Sequence, residues 1–188
     1  MKKRSDYQAG AAGEAEVRPD GPRWTIVFVR ELRHPPSRVW RALTDPAELR
    51  EWAPFDSDRD LGRTGDATLT MAGGDGSEKS PASVRHAKPS ALLEYTWGGD
   101  VLRWELEPIA TGTRLTLRHT LDDRSWAAKV AAGWHICLDV ADRLLAGDPI
   151  GRIVADDARR HGWERLDAAY SERFGIPSAG SPQARSNG

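Results

Sequence analysis

Residues 31–52 read ELRHPPSRVWRALTDPAELREW, and the order of the breaks within them sets the fold. The residues leading in, WTIVFVREL at 24–32, are β-branched and aromatic, the composition of a strand. Pro35 and Pro36 stop that strand, because proline offers no N–H to a ladder. Ser37 is then placed to cap a short helix, SRVWRALT, in which Val39, Trp40 and Leu43 share a face. Thr44-Asp45-Pro46 ends this helix and starts another. Asp45 suits the N-cap, and Pro46 suits the first helical position, where its missing N–H costs nothing. In PAELREW, Leu49 and Trp52 fall together. The order is one strand followed directly by two short helices.

Downstream the period is mostly two. FDSDRDL at 55–61 reads as a weak strand, DATLTM at 66–71 alternates Ala67, Leu69 and Met71, and ASVRHA is a second weak strand. ALLEYTW at 91–97 alternates Leu93, Tyr95 and Trp97. VLRWELEP puts Leu102, Trp104 and Leu106 on one face, and TRLTLRHTL does the same for Leu115, Leu117, His119 and Leu121. These are half-buried antiparallel strands. The period then becomes helical: Val130, Trp134, Leu138, Ala141 and Leu145 form one stripe between Ser125 and Leu145. A last amphipathic helix, about Asp156 to Phe174, carries Trp163, Leu166, Tyr170 and Phe174.

The flanks read differently. Residues 1–21 lack an apolar period and are expected to be a disordered arm, and residues 177–188 a disordered tail. The ordered part divides into a domain over 22–147 and a helical extension over 148–176. With 188 residues this is one domain with tails. No apolar run approaches the roughly 20 residues of a membrane span. No secretory leader pattern follows the basic start, so the cytoplasm is expected, and the excess of Arg over Lys with abundant Ala and Gly suggests a bacterial gene. A formal net charge of -1 gives no reason to bind nucleic acid. Cys137 alone excludes an internal disulfide framework.

A sheet of about seven strands with one apolar face must bury that face, and a single helical stripe is too narrow to cover it. Eight tryptophans suit the walls of the space left over. The stretch at 31–52 resembles the opening of the SRPBCC, or START-like, superfamily, and most closely the branch named after homologues of the activator of the heat-shock-protein-90 ATPase. DLGRTGDATLTM, KPSALLEYTWGG, GTRLTLRHTL and AAGWHICLDVADRLLAG resemble further motifs of that branch in the expected order, and WERLDAAYSERFG resembles its terminus. His34, Ala53 and Pro54 depart from its pattern. The resemblance implies an α+β helix-grip fold, like that of the birch-pollen-allergen-like carriers: a curved antiparallel sheet around a long C-terminal helix, with an apolar cavity between them.

The cavity-lining candidates are Phe28, Arg30, Trp40, Trp52, Leu69, Tyr95, Trp97, Trp104, Leu117, His119, Trp134 and Leu138. Arg30 lies on the face of Ile26 and Phe28, so it must meet a carboxylate or the cavity. His119 and Tyr95 are weak candidates for acid–base work. His135 is expected off the apolar stripe, and His34, His86 and His161 at the surface. No histidine pair or HExxH motif supports a metal, no GxSxG elbow carries a serine, and the glycines at 73, 74 and 76 lack the ending of a phosphate loop. Asp56, Asp58 and Asp60 read as a solvated edge, and Cys137 as a buried thiol. No cofactor is expected.

Three functions compete. The first is a binding module for a hydrophobic small molecule, lipid or polyketide-like. The second is a co-chaperone-like interaction module whose partner is a chaperone. The third is a cyclase or dehydratase using the same cavity. The stripe of the terminal helix must also pack, on the sheet or in a homodimer.

Overall fold

The computed structural model describes residues 4–73 and 78–177. Strands β1 (Ala15–Asp20), β2 (Arg23–Leu32), β3 (Phe55–Ser57), β4 (Gly65–Met71), β5 (Lys79–Lys88), β6 (Leu92–Trp97), β7 (Asp100–Ile109) and β8 (Gly112–Leu121) form one antiparallel sheet. Its order is β1-β2-β8-β7-β6-β5-β4-β3. The helices are α1 (Pro36–Thr44), α2 (Pro46–Trp52), α3 (Ala127–Leu145), α4 (Asp156–Arg160) and α5 (Trp163–Phe174). The sheet curls around α3, so the chain has the α+β helix-grip fold. No helix among the described residues is long and apolar enough to cross a membrane.

Helix α3 runs beside β2 and in the same direction. Arg124, just before α3, lies over the Trp24 ring at 5.2 Å. Further along, Arg30 reaches Asp139 at 2.6 Å and His34 approaches Asp142 at 3.8 Å. The two short helices follow from their breaks: Asp45 accepts from Ala47 N–H at 2.8 Å, with Pro46 in the first turn. Helix α1 starts at Pro36 with Pro35 as its N-cap and no side-chain cap bond, so Ser37 does not play the expected part. The β7–β8 hairpin needs Gly112, whose φ is 144°; a Cβ there would stand 2.2 Å from Leu32 O.

Several expectations are corrected. The arm over 1–21 is not free where it is described. It contains a 3-10 turn at Arg4–Asp6 and strand β1, which pairs with β2, and it buries Tyr7 and Ala9. With β1 the sheet has eight strands rather than seven. The strand at 55–61 is only Phe55–Ser57, because Arg59 draws the following residues into a loop by donating to the carbonyls of Asp60, Arg63, Gly65 and Asp66. The helix expected over 156–174 is two helices, broken at Gly162 with φ 99°. Its stripe packs on α3 and β1 of its own chain, which removes the need for a second subunit there. Gly74, Gly76 and residues 178–188 lie outside the described residues.

Candidate functional site

Trp52 from α2, Tyr95 from β6, Trp104 from β7 and Trp134 from α3 meet between sheet and helix. Trp104 meets Trp134 edge-on at 5.3 Å and Trp52 at 6.0 Å, and Trp52 lies 6.5 Å from Trp134. Each indole N–H is satisfied inside the protein: Trp52 donates to Ala42 O at 2.9 Å, Trp104 to the Tyr95 hydroxyl at 3.2 Å, and Trp134 to His119 Nδ1 at 2.9 Å. A void able to admit an organic molecule leaves its walls with accessible area. These four residues, with Phe28, Leu69, Leu117, His119 and Leu138, are only 0% to 3% exposed. The expected open cavity is therefore filled in this conformation. Three large indoles, with Trp104 edge-to-face against both of the others, occupy the gap that the helix alone leaves.

His119 is held at both ring nitrogens. Indole N–H can only donate, so Nδ1 carries the lone pair and Nε2 the proton, which goes to Asp100 Oδ2 at 2.8 Å. No lone pair is left for a general base. Tyr95 is 1% exposed, and burial raises its pKa, so its phenol stays neutral. Both weak catalytic candidates are thus tied into the interior by hydrogen bonds to Trp134 and Trp104. Burial pushes the Cys137 thiol up to about 12, which keeps it inert as a nucleophile. Trp97 stands half-buried at the rim, 5.0 Å from Phe55 and 6.5 Å from His119.

Phe28 and Arg30 belong to a second cluster, on a neighbouring face of α3 that carries His135 and Asp139. Arg30 donates to Asp139 Oδ1 at 2.6 Å and lies over the Phe28 ring. Tyr7 donates to Asp139 Oδ2 at 2.7 Å, and His135 Nε2 lies 3.5 Å from the same oxygen. The Tyr170 hydroxyl accepts from Gly13 N–H at 2.9 Å and meets His135 Nδ1 at 2.9 Å. Burial alone would raise the Asp139 pKa. His135, Arg30 and Tyr7 outweigh it and hold the carboxyl down at about 2. His135 lies off the Trp134 and Leu138 stripe, as expected, yet is buried, because Phe28 of β2, Tyr170 of α5 and the arm together cover this second face of α3. His161 is buried too, with Nδ1 2.7 Å from Tyr7 O. Sequence reading missed Tyr7, His135, Asp139 and Tyr170. Arg30, placed against a carboxylate or a cavity, meets the carboxylate.

Trp40 lies apart from both clusters and lines an open cleft with Thr44, Gly62 and Arg63. The three aspartates of the expected edge have separate tasks: Asp56 pairs with Arg152 at 2.6 Å, Asp58 accepts from Thr68 N–H, and Asp60 accepts from Gly62 N–H. Arg103 bridges Glu94 and Glu105 on the outer sheet face.

Residues 33–146 match the model of a family described as Activator of Hsp90 ATPase homolog 1-like protein. Among solved structures, protein MLL2253 from Mesorhizobium loti is 26% identical, with 65% of this chain and 97% of that one covered at a TM-score of 0.58. CalU16 from Micromonospora echinospora is 21% identical over 84% of this chain and 94% of its own, at 0.61. An AHSA1-like protein from Aeromonas hydrophila is 20% identical over 65% and 92%, at 0.56. No curated protein matches the chain.

Proposed function

The chain belongs to the Activator of Hsp90 ATPase homolog 1-like family, and on that premise we propose that it is a non-catalytic module that binds a protein partner from its outer surface, in the manner of a co-chaperone. The observation that carries this reading is Trp126, which stands 58% exposed at the start of α3 with the Lys129 ammonium 5.0 Å from its ring. A bare indole beside a cation is the kind of residue that anchors protein interfaces. The filled interior and the occupied nitrogens of His119 support the same direction, since neither offers a pocket nor a proton-transfer group.

The test is the ATPase rate of an Hsp90-type chaperone, measured with and without this protein, together with direct binding. Stimulation is expected, and Trp126→Ala should weaken it about tenfold or more. An unchanged rate with no measurable binding sinks the reading.

The hydrophobic-carrier reading stands second, favoured by the half-buried Trp97 at the rim of the aromatic interior. It requires that the indoles part to admit a guest. Native mass spectrometry of freshly purified protein tests it: a co-purifying apolar molecule supports it, and a bare chain counts against it.

A further inference from the structure

The cleft beside Trp40 has a volume of about 510 Å³, the size of a small-molecule site. Three arginines, Arg41, Arg59 and Arg63, face one carboxylate, Asp60. Their charges are not equally available. Arg41 reaches Glu48, which also holds Arg38 at 2.5 Å. Arg59 is committed to four backbone carbonyls, none of them charged. Asp60 is turned to the N–H of Gly62 at 2.6 Å. Arg63 is exposed and has no side-chain partner among the described residues. The cleft therefore carries excess positive charge with one free planar guanidinium.

Its wall is aromatic. The Nε1–H of Trp40, unlike those of Trp52, Trp104 and Trp134, has no partner among the described residues. Gly62 leaves this edge bare: a Cβ there would lie 3.6 Å from Nε1. The loop is also preformed. Leu61 is fully buried and its N–H bonds Thr44 O at 3.0 Å, while the Ser57 hydroxyl holds Arg59 O at 2.7 Å. A ligand here would meet a fixed surface and lose little to ordering. Another open depression, on the outer sheet face, differs in that its Arg103 and Arg118 are already paired with glutamates.

We infer that this cleft binds a small aromatic carboxylate, with its ring on the Trp40 indole and its carboxylate on Arg63. A single free guanidinium matches a carboxylate in a two-point contact, and the bare Nε1–H edge of the indole suits the π face of a flat ring. The inference is independent of the co-chaperone reading. Trp126 lies at the Trp24 end of β2, whereas α1 begins where β2 finishes.

The experiment is a titration of 15N-labelled full-length protein with 2-naphthoate. It follows the indole N–H of Trp40, identified by its loss in Trp40→Phe. The expected result is a saturable shift, at least tenfold weaker with 2-naphthamide or acetate, and at least tenfold weaker in Arg63→Glu. Because Arg63 is exposed, the remaining resonances of that variant should stay in place and report an intact fold. The inference is overturned by a Trp40 signal that does not saturate, by equal binding of the amide, or by undiminished binding in Arg63→Glu. A glutamate-rich peptide that shifts Trp40 while naphthoate does not would also overturn it and make the cleft a protein-docking seat.

Discussion

Trp134 donates its indole N–H to Nδ1 of His119 at 2.9 Å, which fixes the imidazole with its proton on Nε2, aimed at Asp100. The bond joins α3 to β8 across the aromatic interior. His119→Ala would remove a buried ring and leave the Trp134 donor unpaired, at a cost of about 3 kcal/mol. Urea unfolding measures this. Nitrogen chemical shifts of the wild-type ring should report the Nε2–H tautomer, and the opposite tautomer would contradict the assigned pinning.

Asp139 ties acid sensitivity to one carboxylate. Its pKa falls from the ordinary 3.8 to about 2 on folding, so the unfolded chain binds this proton more readily. The stabilisation is full above about pH 4 and fades as pH falls to about 2, amounting to about 2 kcal/mol. Asp139→Asn should flatten stability against pH in that window. It should also lower stability at pH 7 by about 2–4 kcal/mol, because Arg30 is left mostly buried without its carboxylate. Unfolding curves at pH 7, 4 and 2.5 compare the two proteins.

The N-terminal arm acts as a strap joining α5 to α3. Arg165 donates to Ala9 O and Arg173 to Gly13 O, while Ala9 N–H reaches His161 O at 3.0 Å. Tyr7→Phe keeps the ring and loses the bond to Asp139, which should cost about 1–2 kcal/mol. Removing residues 1–14 should cost more than that and lower the melting temperature. A truncated protein that melts with the intact one would show the strap to be energetically idle.

Two glycines should respond oppositely to alanine. At Gly112 a Cβ meets Leu32 O and His34 N within 2.7 Å, and φ is 144°; Gly112→Ala should cost about 3 kcal/mol or more. At Gly133, inside α3, a Cβ meets nothing within 4 Å, so Gly133→Ala should stabilise by about 0.5–1 kcal/mol. Thermal melts of both variants decide the matter.

Cys137 is buried with its thiol pushed up to about 12. Iodoacetamide at pH 8 should leave the native protein unmodified and label it fully in denaturant. Rapid labelling of the native protein would mean that α3 opens readily.

Much of the fold was legible because its signals are local. The proline breaks at 35–36 and 46, the Asp45 cap and the alternation of Leu102, Trp104 and Leu106 each act within a few residues. β1 was not legible, since AEVRPD buries only Ala15 and holds a proline, so it has no apolar alternation to read. The burial of His135 was not legible because one stripe was assigned to α3, whereas Phe28, the arm and α5 cover a second face. The filled interior escaped for a related reason. Whether three indoles close a gap depends on how Trp52, Trp104 and Trp134 interlock in space, and no spacing along the chain encodes that.

The margins of the sheet carry a consequence for how copies of the chain meet. β1, at one margin, is short, charged and interrupted by Pro19, and β3, at the other, has three residues. Neither offers a long unbroken row of backbone groups to an incoming strand. Crowded molecules should therefore resist growing into β-linked filaments, and any self-association must be built from side chains.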